Sequence, residues 1–223
     1  MAIGPSLRIL RCRDPVVVEA AVWDGYWEVP VCYFSRRLVR AAARWLATSD
    51  RSYFVVALLS GSPVGFMHCS TMGPHPWRVF ARQHLHLLPQ LLWYRVLMNQ
   101  RVSRLLRYPG LRLASAGPRF DPEKAAGLAL PVVDAPFAWG ARDVGAGYAH
   151  VLYVAETLRG QGIGPLLLAS AWDEMRGDGV RRVEARIDPG NSASVRAFLK
   201  AGWRVVRTSS GYFHASAQEA VEH

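Results

Sequence analysis

The chain has only three cysteines, Cys12, Cys32 and Cys69, odd in number and set far apart. That spacing gives neither a disulfide framework nor a zinc ligand set, and it reads as reduced thiols in a cytoplasmic protein. No run of about 18 apolar residues exists, so no transmembrane helix is expected. Met1 to Asp14 carries Arg8, Arg11 and Arg13 without the apolar stretch of a signal peptide. His84-x-His86 is not a zincin motif, and no metal is expected. No Gly-Lys-Ser/Thr follows any glycine cluster, which excludes the nucleotide P-loop. Internal repeats and low-complexity tracts are absent. So are acidic residues between Asp50 and Asp121.

Positive charge fills that gap. The net charge is +10, and residues 51–145 hold 11 basic and 4 acidic side chains, against 7 and 5 in residues 1–50 and 9 and 8 in residues 146–223. Such asymmetry attracts anionic partners, and it equally fits solubility together with phosphate binding. No nucleic-acid-binding motif accompanies it, so nucleic acid is not expected as a partner. At 223 residues and 51% hydrophobic, the chain suits one domain with a full core, or one domain carrying a large insertion.

Hydrophobic periodicity divides the chain. Ser6 to Arg13 reads as a short strand, and Pro15 to Tyr26 and Ser35 to Leu46 as helices. In the second helix Leu38, Val39, Ala42, Trp45 and Leu46 share one side, and Ser35 suits an N-cap. Tyr53 to Leu59 and Val64 to Ser70 form a hairpin with Gly61-Ser62-Pro63 as its turn. His84 to Arg107 is helical in pattern, and Pro89 starts or kinks that helix. Pro109 to Pro136 is rich in loop residues, with Asp121-Pro122-Glu123-Lys124 opening a short helix. His214 to His223 reads as a frayed tail.

The most informative stretch is Arg159-Gly160-Gln161-Gly162-Ile163-Gly164. An alternating strand, Tyr148 to Val154, precedes it, and a helical pattern through Ile163, Leu166, Leu167, Ala171 and Met175 follows. A glycine turn leading into a helix N-terminus collects unpaired N–H groups and the positive end of the helix dipole, which is an anion site. The dinucleotide fingerprint is a rival, with Glu184 near the distance of its ribose contact. Two features oppose it. Ala155 to Leu158 separate strand from turn, and too little chain follows the next strand for a doubly wound sheet.

The same stretch resembles the acyl-CoA pyrophosphate loop, Arg/Gln-x-x-Gly-x-Gly/Ala, of the GCN5-related N-acetyltransferases (GNAT). The likeness continues through a strand at Val180 to Ile187. Asn191-Ser192-Ala193-Ser194-Val195-Arg196-Ala197-Phe198 is similar to the family's Asn-x-x-Ala-x-x-x-Tyr helix, and Gly202-Trp203 to its Gly-Phe. Residues 148–208 thus resemble the family in order and spacing. The implied fold is α/β, a mixed, mostly antiparallel sheet flanked by helices. One domain would span 1–223, with a helical insertion at 71–146 between the third and fourth strands and an acyl-CoA-binding core at 147–208.

The resemblance implies acetyl-CoA as acyl donor, no metal, and transfer to a primary amine of a small molecule. The basic middle segment makes an anionic acceptor, such as a nucleotide-linked amino sugar or antibiotic intermediate, a reasonable hypothesis. Carried over by position, the cofactor would meet Leu152, Tyr153, Val154, Arg159, Gly160, Gln161, Gly162, Ile163, Gly164, Asn191 and Phe198. One backbone N–H of Leu152 to Val154 would bind the oxyanion.

Phe198 stands where the family has its Tyr acid, and a phenyl ring donates no proton. Ser194 and Tyr212 are the nearest replacements in sequence, beside the bland alternatives of packing on CoA and core. Tyr148 and His150 lie on the CoA strand, on the same face as Leu152. His150 is the candidate base, and His68 a second candidate or substrate contact. Trp27 and Glu28, between the first two helices, are candidate acceptor contacts; Trp23 reads as core.

The insertion admits three roles: a lid packed on the domain, a membrane-surface helix, or a dimer interface. Monomer and homodimer both fit. Two other functions stay open, an acyltransferase using longer acyl chains or an acyl carrier protein, and a non-catalytic CoA-binding module.

Overall fold

The computed structural model describes residues 6–25, 36–73, 76–84, 86, 89, 130–133, 146–188, 190–209 and 211–218. In chain order its elements are β1 (Leu7–Arg11), α1 (Pro15–Gly25), α2 (Arg36–Thr48), β2 (Ser52–Leu59), β3 (Ser62–Ser70), α3 (Pro76–Gln83), β4 (Val132–Val133), β5 (Ala146–Val154), α4 (Ile163–Gly177), β6 (Arg182–Ile187), α5 (Ser192–Lys200), β7 (Arg204–Thr208) and β8 (Phe213–Gln218). The eight strands form one sheet in the order β1-β2-β3-β5-β6-β8-β7-β4. The pairs β5–β6 and β4–β7 are parallel and the others antiparallel. This is the expected mixed, mostly antiparallel sheet flanked by helices.

Both faces of the sheet are covered, which is why β2 reads Tyr-Phe-Val-Val-Ala with no polar alternation. Tyr53, Val55, Ala57, Met67 and Cys69 face one core together with Leu167, Leu168, Ala171 and Met175 of α4 and Val195 and Phe198 of α5. Phe54, Val56 and Phe66 face the other, against Val18 and Val22 of α1 and Val39, Trp45 and Leu46 of α2. Burying a side chain such as Phe54, Leu46 or Leu168 contributes roughly 1.5–3 kcal/mol.

Helix ends follow local chemistry. Asp14 Oδ1 accepts the Val16 N–H at 2.8 Å ahead of Pro15, which starts α1 without needing a donor. The far end of α4 is pinned to β1, because Arg11 Nη1 meets Asp178 Oδ2 at 3.0 Å while its guanidinium lies 4.3 Å over the Tyr53 ring. Fixing that end fixes where the helix begins.

Three expectations change. The hairpin turn is Ser60-Gly61 rather than Gly61-Ser62-Pro63, since Leu59 pairs with Ser62 and Pro63 with Leu58 inside the ladder. Its two residues have φ of 51° and 86°, the mirror-image turn whose twist suits a two-residue hairpin. Residues 214–218 are no tail but most of β8, between β6 and β7. Phe213, Ala215 and Ala217 face the core in alternation with His214 and Ser216, and small residues gave this period-2 pattern too little hydrophobicity to stand out. The loop-rich segment contributes β4, which pairs with β7 at the sheet edge. The insertion contributes α3 after β3. The helix expected at 84–107 and the one opening at Asp121 fall on residues outside those described, apart from isolated positions.

Candidate active site

β5 changes neighbours part-way along. From Ala146 to Ala149 it pairs with β6, ending at Ala149–Ala185, whereas its pairing with β3 runs on to Val154. Beyond that point β6 pairs only with β8, as Arg186–His214 and Ile187–Phe213. The two parallel strands therefore separate, and among the described residues one edge of 151–154 has no neighbouring strand, in the middle of a sheet.

A bulge marks the same place. His68 pairs with Val151 and Cys69 with Ala149, so His150 is the extra residue. Ala149, Leu152 and Val154 face the α4 and α5 core, and Val151 and Tyr153 the α1 and α2 core. The expectation that Tyr148 and His150 share the face of Leu152 is thereby corrected. The bulge breaks the period of two, and the His150 ring stacks on His68, on the opposite face.

The opening leads to the glycine turn. Residues 156–158 form one 3₁₀ turn, the Arg159 Nε–H donates to the Val154 carbonyl at 3.0 Å, and Gly162 N-caps α4. Gly160 and Gly162 sit at φ of 84° and 87°, in the left-handed region, and a Cβ on either would meet nothing within 4 Å. Their glycines are needed for backbone conformation and not for room. No side chain caps this helix and no acid occupies its first turn. Among the described residues, no backbone acceptor is recorded for the N–H groups of Gly160 to Gly164. The turn has the form of an anion site. A Cβ on Gly164 would make ordinary contacts, 3.6 Å to Ala197 and 3.8 Å to Leu152.

On the α1 and α2 face, polar side chains cross the sheet from β3 to β8. Ser70 Oγ lies 2.8 Å from His150 Nε2. His68, 1% exposed, stacks on His150 with ring centroids 5.0 Å apart. Burial, aided by His150, holds the His68 imidazole well below its usual pKa, so it is neutral. Burial pushes the Tyr148 phenol up to about 12, and the Glu184 carboxylate adds to the rise. Tyr148 and Glu184 are register partners. Glu184 lies 3.1 Å from Arg182 and 3.8 Å from His214 Nε2. His214, then Arg182 and Tyr148, hold its carboxyl below the usual range against the opposing effect of burial.

Residues 120–203, which take in β5, α4, β6 and α5, match the family model described as Acetyltransferase (GNAT) family. That stretch, rather more than a third of the chain, is what resembles the GNAT family in sequence. No curated protein matches it in sequence. Solved structures agree on the fold. A GNAT-family acetyltransferase from Streptococcus pneumoniae is 12% identical with a TM-score of 0.53, covering 96% of this chain and 100% of its own. Aminoglycoside acetyltransferase AAC(6')-Ib in complex with coenzyme A and kanamycin is 13% identical, with a TM-score of 0.51 and coverage of 96% and 95%. The structure of yncA from Salmonella typhimurium with its cofactor acetyl-CoA is 14% identical, with a TM-score of 0.51 and coverage of 97% and 95%.

The remaining candidates are scattered. Asn191 Oδ1 accepts the Ser194 N–H at 3.0 Å, so Asn191 caps α5. Ser194 sits in the first turn of α5, which packs on the sheet face away from His150. Phe198 is core, edge-on to Trp203 at 4.9 Å. Tyr212 stands in the β7–β8 turn, where its carbonyl accepts from Thr208 and its ring carries the Arg186 guanidinium at 3.6 Å. Trp27 and Glu28 lie outside the described residues, as does the side chain of Trp23. Glu184 was missed as a member of the polar row. Its signal was the alternation of Val183, Ala185 and Ile187, all buried, which sends Glu184 to the other face. Among the described residues no three His, Cys, Asp or Glu side chains are grouped to hold a metal, and no helix is long and apolar enough to cross a membrane.

Proposed function

We propose that the chain is an acetyl-CoA-dependent N-acetyltransferase that acts on a primary amine of a small molecule. The observation that carries this is the separation of β5 from β6 after Ala149, with the uncapped glycine turn at its end. An extended chain bearing amides fits the open edge of Leu152 to Val154, and a pyrophosphate fits the N–H groups from Arg159 to Gly164. Arg159 is tied to Val154 through Nε, so it braces the turn while its outer nitrogens meet the phosphates. The solved structures that hold CoA or acetyl-CoA on this fold support the same donor.

His150 serves as the base. The neutral amine attacks the thioester carbon, its C–N bond forms, and the N–H proton moves to the imidazole. A backbone N–H of the Leu152 to Val154 edge stabilises the oxyanion. Collapse breaks the C–S bond with its electron pair on sulfur. Position 198 offers no acid, so CoA leaves as the thiolate and takes its proton from solvent, to which His150 returns the one it accepted. Tyr148, a phenol that stays protonated, is a donor at the acceptor side of the slot. The basic segment 51–145 favours an anionic acceptor such as a nucleotide-linked amino sugar over a polycation such as kanamycin. Use of acetyl-CoA fits a cytoplasmic enzyme.

Calorimetric titration with acetyl-CoA, then free-thiol release across kanamycin, a nucleotide-linked amino sugar, spermidine and a lysine peptide, tests this reading. Saturable binding with thiol release dependent on one amine is the expected result. Binding without release from any amine contradicts the transferase and supports a CoA-binding module, the reading that the buried Phe198 favours. No binding contradicts both.

A further inference from the structure

Ser70, the last residue of β3, has no role in the scheme above, yet it is fully buried and its Oγ lies 2.8 Å from His150 Nε2. The same oxygen accepts the Met72 N–H at 3.3 Å. The bulge gives β5 the extra residue that brings the His150 ring to this face, where it meets His68 on β3 and Tyr148 on its own strand, with ring centroids 5.0 and 6.0 Å away. Among the described residues, the titratable groups that its ring meets include a buried imidazole, whose Nε2 has no hydrogen-bond partner there, and a phenol in register with Glu184 of β6. Beyond Glu184 stand Arg182 and, from β8, His214.

We propose that Ser70 is a positioning residue for proton transfer, its hydroxyl oxygen accepting the Nε2–H of His150 so that Nδ1 takes the proton of the amine. This rests on the reading of His150 as base. A serine hydroxyl has two lone pairs and one hydrogen. Met72 N–H takes one lone pair and Nε2–H the other, and neither bond uses the hydroxyl hydrogen. In the reverse arrangement, with Ser70 donating to Nε2, the neutral ring would carry its hydrogen on Nδ1 and could accept no proton there. Once Nδ1 is protonated the ring is an imidazolium, and its Nε2–H bond to Ser70 becomes charge-assisted and stronger. Ser70 therefore fixes the tautomer, orients the ring and stabilises the form that holds the proton.

Long-range proton–nitrogen NMR of the full chain labelled in histidine, with the His150 signals assigned by their loss in His150→Gln, tests the tautomer without any acceptor. The expected result is an Nε2–H tautomer for neutral His150. In Ser70→Ala the ring should titrate at lower pH than in the wild type, and Ser70→Thr should restore both properties. In the thiol-release assay with acetyl-CoA and the amine that supports release, Ser70→Ala should lower kcat on the order of tenfold to a hundredfold at neutral pH, with KM for acetyl-CoA unchanged and the acid limb of the pH profile moved to lower pH. An Nδ1–H tautomer in the wild type overturns the proposal, and that measurement stands even if Ser70→Ala fails to fold. Thiol release that Ser70→Ala leaves unaltered, in kcat and in pH profile, overturns the role of Ser70 alone. Absence of thiol release in the wild type overturns the transferase reading and this proposal with it.

Discussion

Residues 146–149 and 150–154 belong to one strand, yet they have different surroundings. The first group is paired with β6, and its packing has no slack: a Cβ on Gly147 would fall 2.2 Å from Met175 Cε and 3.3 Å from both Val180 and Val183. The second group keeps β3 but loses β6, and the glycine turn that follows has open space around it. Unpaired strand edges cost hydrogen bonds and invite unwanted pairing, so folded proteins limit them. Here the edge lies inside the sheet, where another strand cannot easily reach it. The closed half sets the geometry, and under the proposed function the open half receives a ligand that completes the ladder. The bulge at His150 sits between the two halves and turns a side chain toward the face covered by α1 and α2.

The largest expected effect separates chemistry from binding at that junction. Substituting His150→Gln should lower thiol release by about 10²- to 10⁴-fold, as loss of a general base does, while calorimetry finds acetyl-CoA affinity unchanged. Equal loss of both would place His150 in the cofactor slot. Next comes the closed half. A Gly147→Val chain should lose about 1–3 kcal/mol in urea unfolding through overpacking, yet bind acetyl-CoA normally while folded. The open end should behave in the opposite way. Gly162→Ala forces a side chain into the left-handed region at roughly 1–2 kcal/mol, a strain that a local shift of the exposed turn relieves. Its unfolding midpoint should therefore move little, while acetyl-CoA affinity falls about tenfold or more, the effect of about 1.4 kcal/mol on binding. A binding loss at Gly147 to match that at Gly162 would break the distinction between the two halves.

The smallest effect concerns pH. His68 has a folded-state pKa below its unfolded value of about 6.5. Between those two values the unfolded chain binds more protons, so stability is fully present above about pH 6.5 and declines as pH falls, by at most about 1.4 kcal/mol per pH unit from this group. Comparing urea midpoints at pH 7 and pH 5.5, His68→Leu should be less sensitive to acid than the wild type. An unchanged slope would mean that His68 is not held neutral by its burial.

Legibility in the sequence followed the strength of local signals. The glycine turn, α4 and α5 were placed within a residue or two, because left-handed glycines, a capping Asn191 and a helical period leave marks in neighbouring residues. The orientation of His150 was missed for a different reason. A bulge is a property of two strands, and neither Tyr148 to Val154 nor Val64 to Ser70 announces alone that one residue is extra. Register likewise decides that Glu184 stands beside Tyr148 and that Ser70 meets His150, and both relations join residues far apart in the chain. β8 was read as tail because Ala215 and Ala217 bury little surface. Phe198 was read correctly as lacking a donor, and the structure adds that its ring is spent on Trp203 in the core.

Hydrogen exchange of the full chain with and without saturating acetyl-CoA, followed by mass spectrometry, tests the central claim most directly. The account predicts protection of the amides between 150 and 164, at the open half of β5 and the glycine turn, with little change in 146–149 or in β1 and β2. Binding that leaves 150–164 unprotected, or that protects another surface instead, would contradict it.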